Sequence, residues 1–184
     1  MEEKIKAKVM DSRKIRRALL RMTTEITERN RNLKNLVIVG IRTRGVFLGN
    51  RIQKLIKEQE RIEVPTGVLD ITLYRDDFAK LKEQPTVKKT EINFPVKNKD
   101  VILVDDVLFT GRTIRAALDS LVDLGRPKSI QLLVLIDRGH RELPIRADYV
   151  GKSLPTSRRE LVKVKLEEFD DSDEVLIAEP VGKK

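Results

Sequence analysis

The run from Val101 to Thr113, Val-Ile-Leu-Val-Asp-Asp-Val-Leu-Phe-Thr-Gly-Arg-Thr, constrains the fold more than any other stretch of the chain. Its four leading apolar residues have no polar interruption, so neither face of the segment can lie against water. A strand buried on both faces belongs in a parallel sheet covered by helices. Asp105 and Asp106 stand at its carboxyl end, and Thr110-Gly111-Arg112-Thr113 opens a helical pattern over Arg112–Leu124 that Gly125 and Pro127 stop. Strand, loop and helix start follow one another without a gap.

Each part has a chemical use. A loop at a helix N-terminus offers unpaired backbone N–H groups and the positive end of the helix dipole, while Thr110 and Thr113 add hydroxyl donors and Gly111 lets the backbone come close. Such a cradle suits a phosphate monoester. Asp105 and Asp106 can accept from two neighbouring sugar hydroxyls or hold a hydrated Mg²⁺ beside them. Together these groups would grip a ribose 5-phosphate. The plainer reading of the same residues is an Asp pair that ends a strand, with Thr110 or Thr113 capping a helix.

The flanking chain repeats the pattern. Asp11 can cap a helix whose Ile15, Leu19, Met22 and Ile26 share one face. Leu36–Ile41 is a second buried strand, with Arg42-Thr43-Arg44-Gly45 at its carboxyl end. Val46–Glu58 has helical spacing, Val64–Tyr74 reads as a strand ending in Arg75-Asp76-Asp77, and Ser129–Ile136 as another that leads into Asp137-Arg138-Gly139-His140-Arg141. Two shorter strand-like pieces are Leu161–Leu166 and Glu174–Ala178. Strands alternating with helices imply a largely parallel sheet with right-handed crossovers, and ligands gather outside the carboxyl ends of its strands. That edge collects Arg44, Asp105 and Asp106. From Phe78 to Asp100 the periodicity dissolves into polar residues and two prolines, a length that suits a lid loop, about 75–100, closing over the site.

Composition narrows the chemistry. No cysteine is present, which excludes disulfides, zinc–thiolate sites and thiol catalysis, and the single histidine, His140, rules out a poly-His metal site. At 184 residues the chain suits one domain, 1–184. No signal-peptide core or apolar stretch of membrane-spanning length occurs, so a cytoplasmic protein without a membrane partner is expected. A net charge of +9 favours polyanions or phosphorylated ligands. Arg13, Arg17 and Arg21 recur every fourth residue, with Arg16 beside them, as a solvated basic face or a phosphate-backbone strip; Arg138, Arg141, Arg146, Lys152, Arg158 and Arg159 form a second basic stretch. Glu167–Glu174 is opposite in sign, with six acids and no base.

The central run resembles the PRPP-binding motif of the type I phosphoribosyltransferases: four apolar residues, two acids, three variable residues, then Thr-Gly and a Thr or Ser. The resemblance implies an α/β fold of that type, a parallel central sheet flanked by helices, with a small hood built from the chain termini and a flexible lid loop. It also implies a PRPP or nucleotide site formed by Thr43, Arg44, Gly45, Asp105, Asp106, Val107, Leu108, Phe109, Thr110, Gly111, Arg112 and Thr113. Arg44, Arg75, Asp105 and Asp106 would be catalytic; Mg²⁺ would arrive mainly with PRPP, with Asp105 and Asp106 within its reach. Purine enzymes of the group commonly carry an acid where this chain has Phe109, which can neither donate nor accept a proton, and that favours a pyrimidine. Phe109, Arg138 and His140 would meet the base, although His140 could equally cap a turn.

Further segments narrow the resemblance. Ile-Arg-Arg-Ala-Leu from Ile15, Thr-Arg-Gly from Thr43, Asp-Ile-Thr-Leu-Tyr-Arg-Asp-Asp from Asp70 and Asp-Arg-Gly-His-Arg-Glu-Leu-Pro-Ile-Arg-Ala-Asp-Tyr from Asp137 are similar to the PyrR family of pyrimidine-operon attenuation regulators. That family implies uracil phosphoribosyltransferase activity, uracil and PRPP giving UMP and pyrophosphate. It also implies binding of a pyrimidine-operon leader mRNA hairpin when UMP or UTP is bound, and a homo-oligomer, dimer or tetramer. Arg13, Arg17, Arg21, Arg141, Arg146 and Lys152 are the expected RNA contacts. The pattern departs on the first helix, where Leu20 and Thr24 take the places of a Thr and a His associated with RNA contact. A nucleobase phosphoribosyltransferase without specific RNA binding is the other reading.

Overall fold

A computed structural model describes residues 3–72 and 89–181 of the chain. Arg75, most of the expected lid loop and the end of the expected Val64–Tyr74 strand lie outside the described residues.

The chain runs β1 (Glu3–Asp11), α1 (Ser12–Arg29), a 3₁₀ turn (Leu33–Asn35), β2 (Leu36–Ile41), α2 (Arg44–Glu60), β3 (Thr66–Leu69), β4 (Asp100–Leu108), α3 (Arg112–Leu124), β5 (Ser129–Asp137), β6 (Tyr149–Ser153), β7 (Leu161–Lys165), α4 (Glu167–Asp170) and β8 (Glu174–Pro180). Five strands form a sheet in the order β3-β2-β4-β5-β6, every pair parallel. Successive residues of its central strands serve opposite faces, as the two-residue period of a strand requires. Ile38, Ile102, Val104, Leu133 and Leu135 pack with α1 and α2, whereas Val37, Val39, Val101, Leu103, Leu132 and Val134 pack with α3. Burying each such side chain stabilises the fold by about 1.5–3 kcal/mol. The two ends of the chain meet in a second, antiparallel sheet, β1-β8-β7, which forms the hood.

The local signals act as their chemistry requires. The Asp11 carboxylate accepts from Lys14 N at 2.8 Å and starts α1, whose Ile15, Leu19, Met22 and Ile26 are buried. Gly111, with φ of 94°, turns the chain into α3 in a conformation a side chain would strain. Gly45 serves close packing: a Cβ there would lie 2.3 Å from Val104 O, so its hydrogen lets α2 settle against β4.

Some elements differ from expectation. Helix α2 begins at Arg44 rather than Val46, which carries the Arg-Gly pair into its first turn. Strand β3 ends at Leu69 because Asp70 turns the backbone away, its Oδ1 accepting from Thr72 N at 2.8 Å. Strands β1 and β6 were not anticipated, although Lys4, Lys6 and Lys8 alternate with Ile5, Ala7 and Val9 in the manner of a strand. Among the described residues, no helix is long and apolar enough to cross a membrane.

Candidate active site

The carboxyl ends of β2, β3 and β4 open into a cavity of about 300 Å³, at the small end of ligand clefts. Thr43, Arg44, Asp105, Asp106, Val107 and Thr113 line it, as their positions after strands predict. Arg42, from the same loop as Thr43 and Arg44, also lines it, as do Asp70 and Thr72, which were not among the expected site residues. Asp70 and Thr72 lie in the Asp-Ile-Thr-Leu-Tyr-Arg-Asp-Asp segment, so a signal for them was present in the motif. The peptide bond between Arg42 and Thr43 is cis.

Asp105 is 7% exposed, and its Oδ1 accepts from Asp106 N at 2.9 Å; the Oδ1 of Asp106 accepts from Val107 N at the same distance. Burial pushes the Asp105 carboxyl well above the ordinary carboxylate range, and the neighbouring Asp106 charge adds to the effect. Burial also raises Asp106, while the Asp105 hydrogen bond and the Arg44 charge pull the other way. Among the described residues, each of the two carboxyls at the end of this buried strand accepts from the backbone N–H of the next residue. Arg44 lies nearby but is gripped by the hood: its Nε and NH2 donate to Asp170 at 3.0 and 2.7 Å.

The other expected residues of the motif sit around this cavity rather than in its wall. Leu108 is buried in the core beneath α3. Thr110 Oγ1 is 3.4 Å from Arg112 N, and Thr110 O accepts from Glu142 N and Leu143 N. Arg112 pairs with Glu142 at 2.7 Å. These contacts lash the α3 entry loop to the segment after β5.

That segment builds a second recess, lined by Asp137, Arg138, Gly139, His140 and Ser153–Thr156. The Arg138 guanidinium lies 4.0 Å from the centroid of the Phe109 ring, and His140 meets the same ring edge-on at 6.2 Å. Arg138 is 5% exposed; its NH2 donates to Ser157 O at 2.9 Å, but its buried Nε has no hydrogen-bond partner among the described residues. An orphaned donor inside protein is costly unless something else supplies the acceptor. His140 takes a left-handed turn conformation with φ of 59°, and its Nε2 donates to Thr156 O at 2.5 Å. The three residues expected at the base therefore come together, with His140 also holding a turn.

Arg141 is engaged within the protein. Expected at an RNA surface, its guanidinium instead turns inward: Nε donates to Ile145 O at 2.9 Å, NH1 to Phe109 O at 2.8 Å and more weakly to Leu108 O and Gly139 O, and NH2 to Asp137 Oδ2 at 2.5 Å. Burial would raise the Asp137 carboxyl, but Arg141 and the Gly139 N–H hold it below the usual range. Every nitrogen of the guanidinium has an acceptor within the protein, so the side chain is held inward rather than extended toward solvent.

The arginines of α1 also separate. Arg17 and Arg21 line a groove with Lys14, Gly151 and Lys152, where Arg21 NH2 donates to Val150 O and Gly151 O at 2.8 Å. Arg13 lies with Arg16, Arg51 and Lys54 in a different groove between α1 and α2. Arg17, Lys152 and Arg146 are exposed. The Thr24 hydroxyl donates to Leu20 O at 3.2 Å.

The sequence pattern of the phosphoribosyl transferase domain matches residues 8–168. A bifunctional protein PyrR from Caldicellulosiruptor bescii is 58% identical over 175 residues, which cover 95% of this chain and 96% of the relative. Another from Clostridioides difficile is 59% identical over 174 residues, 95% and 98% of the two chains. Among solved structures, a hypoxanthine phosphoribosyltransferase of Trypanosoma cruzi superposes with a TM-score of 0.74 over 96% of this chain and 98% of its own, at 15% identity. One from Staphylococcus aureus gives 0.71 at 21% identity over 94% and 92%. At such identities the structural likeness concerns the fold.

Proposed function

The chain belongs to the phosphoribosyltransferases and, within them, to the bifunctional PyrR proteins; from that premise we propose that it transfers ribose 5-phosphate from PRPP to uracil and that, with a uridine nucleotide in the same pocket, it binds a pyrimidine-operon leader hairpin to promote transcription termination. The observation that carries the choice of base is the Phe109 ring with Arg138 and His140 packed against it. Phe109 puts an apolar ring at the position before Thr110, where an acid would be needed to act on a purine's imidazole ring, and the Arg138 and His140 side chains against that ring suit a flat base bearing carbonyl oxygens.

In this reading the 5-phosphate lies against the backbone N–H groups of Thr110–Thr113 at the start of α3. Asp105 and Asp106 accept from the ribose hydroxyls, Thr43–Gly45 and Arg44 face the pyrophosphate, and Phe109, Arg138 and His140 hold uracil. Arg75 is proposed to join them over the pyrophosphate. Uracil N1 bonds to C1 of PRPP as the bond from C1 to pyrophosphate breaks, with release of the N1 proton. Positive charge growing on the ribose is stabilised by the two carboxylates, and negative charge on the leaving group by Arg44. Two neighbouring carboxylates, with no cluster of three metal-binding side chains among the described residues, fit an ion that keeps its water and takes most ligands from substrate. Mg²⁺ bound with PRPP would neutralise pyrophosphate charge.

The RNA face in this proposal is the groove of Arg17, Arg21 and Lys152, with exposed Arg146 and Arg13 extending it. Hairpins are read by shape, phosphate contacts and a few base contacts, so loss of two cations should weaken binding and its salt dependence together. The double variant Arg17→Glu/Lys152→Glu is expected to lose about tenfold or more in hairpin affinity, with a log–log salt slope shallower by roughly one to two. Uracil turnover should stay within twofold, and UMP should tighten hairpin binding by the unaltered protein. Turnover of hypoxanthine in preference to uracil, or hairpin binding indifferent to both UMP and the two substitutions, would count against the proposal. A cytoplasmic homo-oligomer, dimer or tetramer, completes it.

A further inference from the structure

We infer that Asp170, a residue of the hood, is the positioning residue for Arg44, and that through this pair docking of the hood sets the capture of the pyrophosphate end of PRPP; the inference rests on the transferase reading above. Asp170 closes the acidic turn α4 and lies 126 positions from Arg44 in sequence. Its carboxylate takes Arg44 Nε and NH2 in a two-point pair at 3.0 and 2.7 Å. The carboxylate is itself held, because its Oδ2 also accepts from Leu166 N at 3.0 Å. Beneath the guanidinium lies the Phe169 ring, 5.3 Å from its carbon, and that ring stacks on Phe47 of α2 at 6.4 Å.

One edge and one face of the guanidinium are therefore fixed by the hood. The remaining nitrogen, NH1, makes no hydrogen bond among the described residues, and Arg44 lines the cavity with Thr43, Asp105 and Asp106. A long side chain held in this way meets an incoming anion already ordered, so less freedom is lost on binding. Docking alone does not explain the pair. Arg51, about two turns further along α2, already ties the same acidic segment down through Glu168 at 2.6 and 2.9 Å and Asp173 at 2.7 and 2.8 Å. A second two-point pair on a residue that also lines the cavity has a different consequence, since it fixes where that residue's NH1 points.

The test compares Asp170→Asn, Asp170→Glu and Glu168→Gln in the full chain, with steady-state kinetics for both substrates, calorimetric binding of Mg²⁺–PRPP and thermal melts. Asp170→Asn should raise the KM and the dissociation constant for PRPP about tenfold, while kcat and the KM for uracil stay within twofold. Asp170→Glu should recover part of the loss. Glu168→Gln, which loosens the same turn without touching Arg44, should leave the PRPP KM within twofold even if the melting temperature falls. An unchanged PRPP KM in Asp170→Asn, or an equal rise in Glu168→Gln, would overturn the inference, because Asp170 would then be a strut like any other. Wild-type protein that neither binds PRPP nor consumes uracil would instead remove the transferase reading, and the inference with it.

Discussion

Uracil transfer should fall about a thousandfold when Asp105 and Asp106 are both replaced by asparagine, a barrier increase of ~4 kcal/mol, while the folded protein without ligand becomes no less stable. The loss follows from charge. Both carboxyls end a strand at the cavity, and in the proposed reaction they accept from the ribose hydroxyls and face positive charge growing on the sugar. An amide keeps the shape and keeps an oxygen for the Asp106 and Val107 N–H groups, each 2.9 Å away, but carries no charge. The stability result follows from the same burial, since among the described residues no cation pairs directly with Asp105 and removing its charge removes a desolvation cost. The pH dependence has a definite sign. A carboxyl raised in the folded state binds its proton more tightly there than in the unfolded chain, so its contribution is fully present below the ordinary value of 3.8 and is lost as pH rises through the folded value. Melting temperatures of the unliganded wild type should therefore decline relative to the double asparagine variant as pH rises above about 4. Retained turnover in the variant would end the assignment of the ribose grip. Parallel melting curves across pH would show that the two carboxyls are not raised.

Arg141→Ala is the second large effect, and it should appear first in stability. The substitution strips the Asp137 carboxylate of its cation and leaves the carbonyls of Phe109 and Ile145 without that donor, with side chains 22% and 21% exposed on the two sides of the ion pair. Breaking a largely buried pair by removing one partner costs roughly 3–5 kcal/mol, and at this chain length that lowers the melting temperature by about 10 °C. The damage should reach function, because Arg141 ties the end of β4 to the loop that presents Arg138 and His140. Uracil turnover and hairpin binding are then expected to fall together. Lysine should not restore them, since one ammonium cannot reproduce a fork that serves several acceptors at once. If the variant melted like wild type and lost RNA binding alone, Arg141 would be a surface contact and its inward bonds of little energetic weight.

These expectations divide according to how far along the chain their causes lie. Strand β2 at Leu36–Ile41 and helix α3 at Arg112–Leu124 were legible to the residue, because an unbroken apolar run and a glycine-bounded helical period are properties of neighbouring residues. The same holds for Asp11 as a cap and for the placing of Arg44, Asp105 and Asp106 on one edge, which the rule for parallel sheets supplies once the strands are known. Strand β6 was missed because Tyr149–Ser153 is too short to show a period, and it becomes a strand by pairing with β5.

The sequence by itself therefore determined the layered α/β fold, the motif strand and the edge where a phosphorylated sugar would bind. Which charges remained free was decided only by tertiary structure. Arg13, Arg17 and Arg21 share one spacing in sequence, yet packing sends Arg21 to carbonyls of β6 and sets Arg13 in another groove. Arg141 belongs to a basic run but is consumed by acceptors up to 33 positions away. In sequence the stretch Glu167–Glu174 shows only six acids and no base, and its partners Arg44 and Arg51 come from α2, 117 to 126 positions earlier. Apolar burial follows from short-range pattern, whereas a charged side chain on a long stem takes its partner from whatever the completed fold brings within about 3 Å.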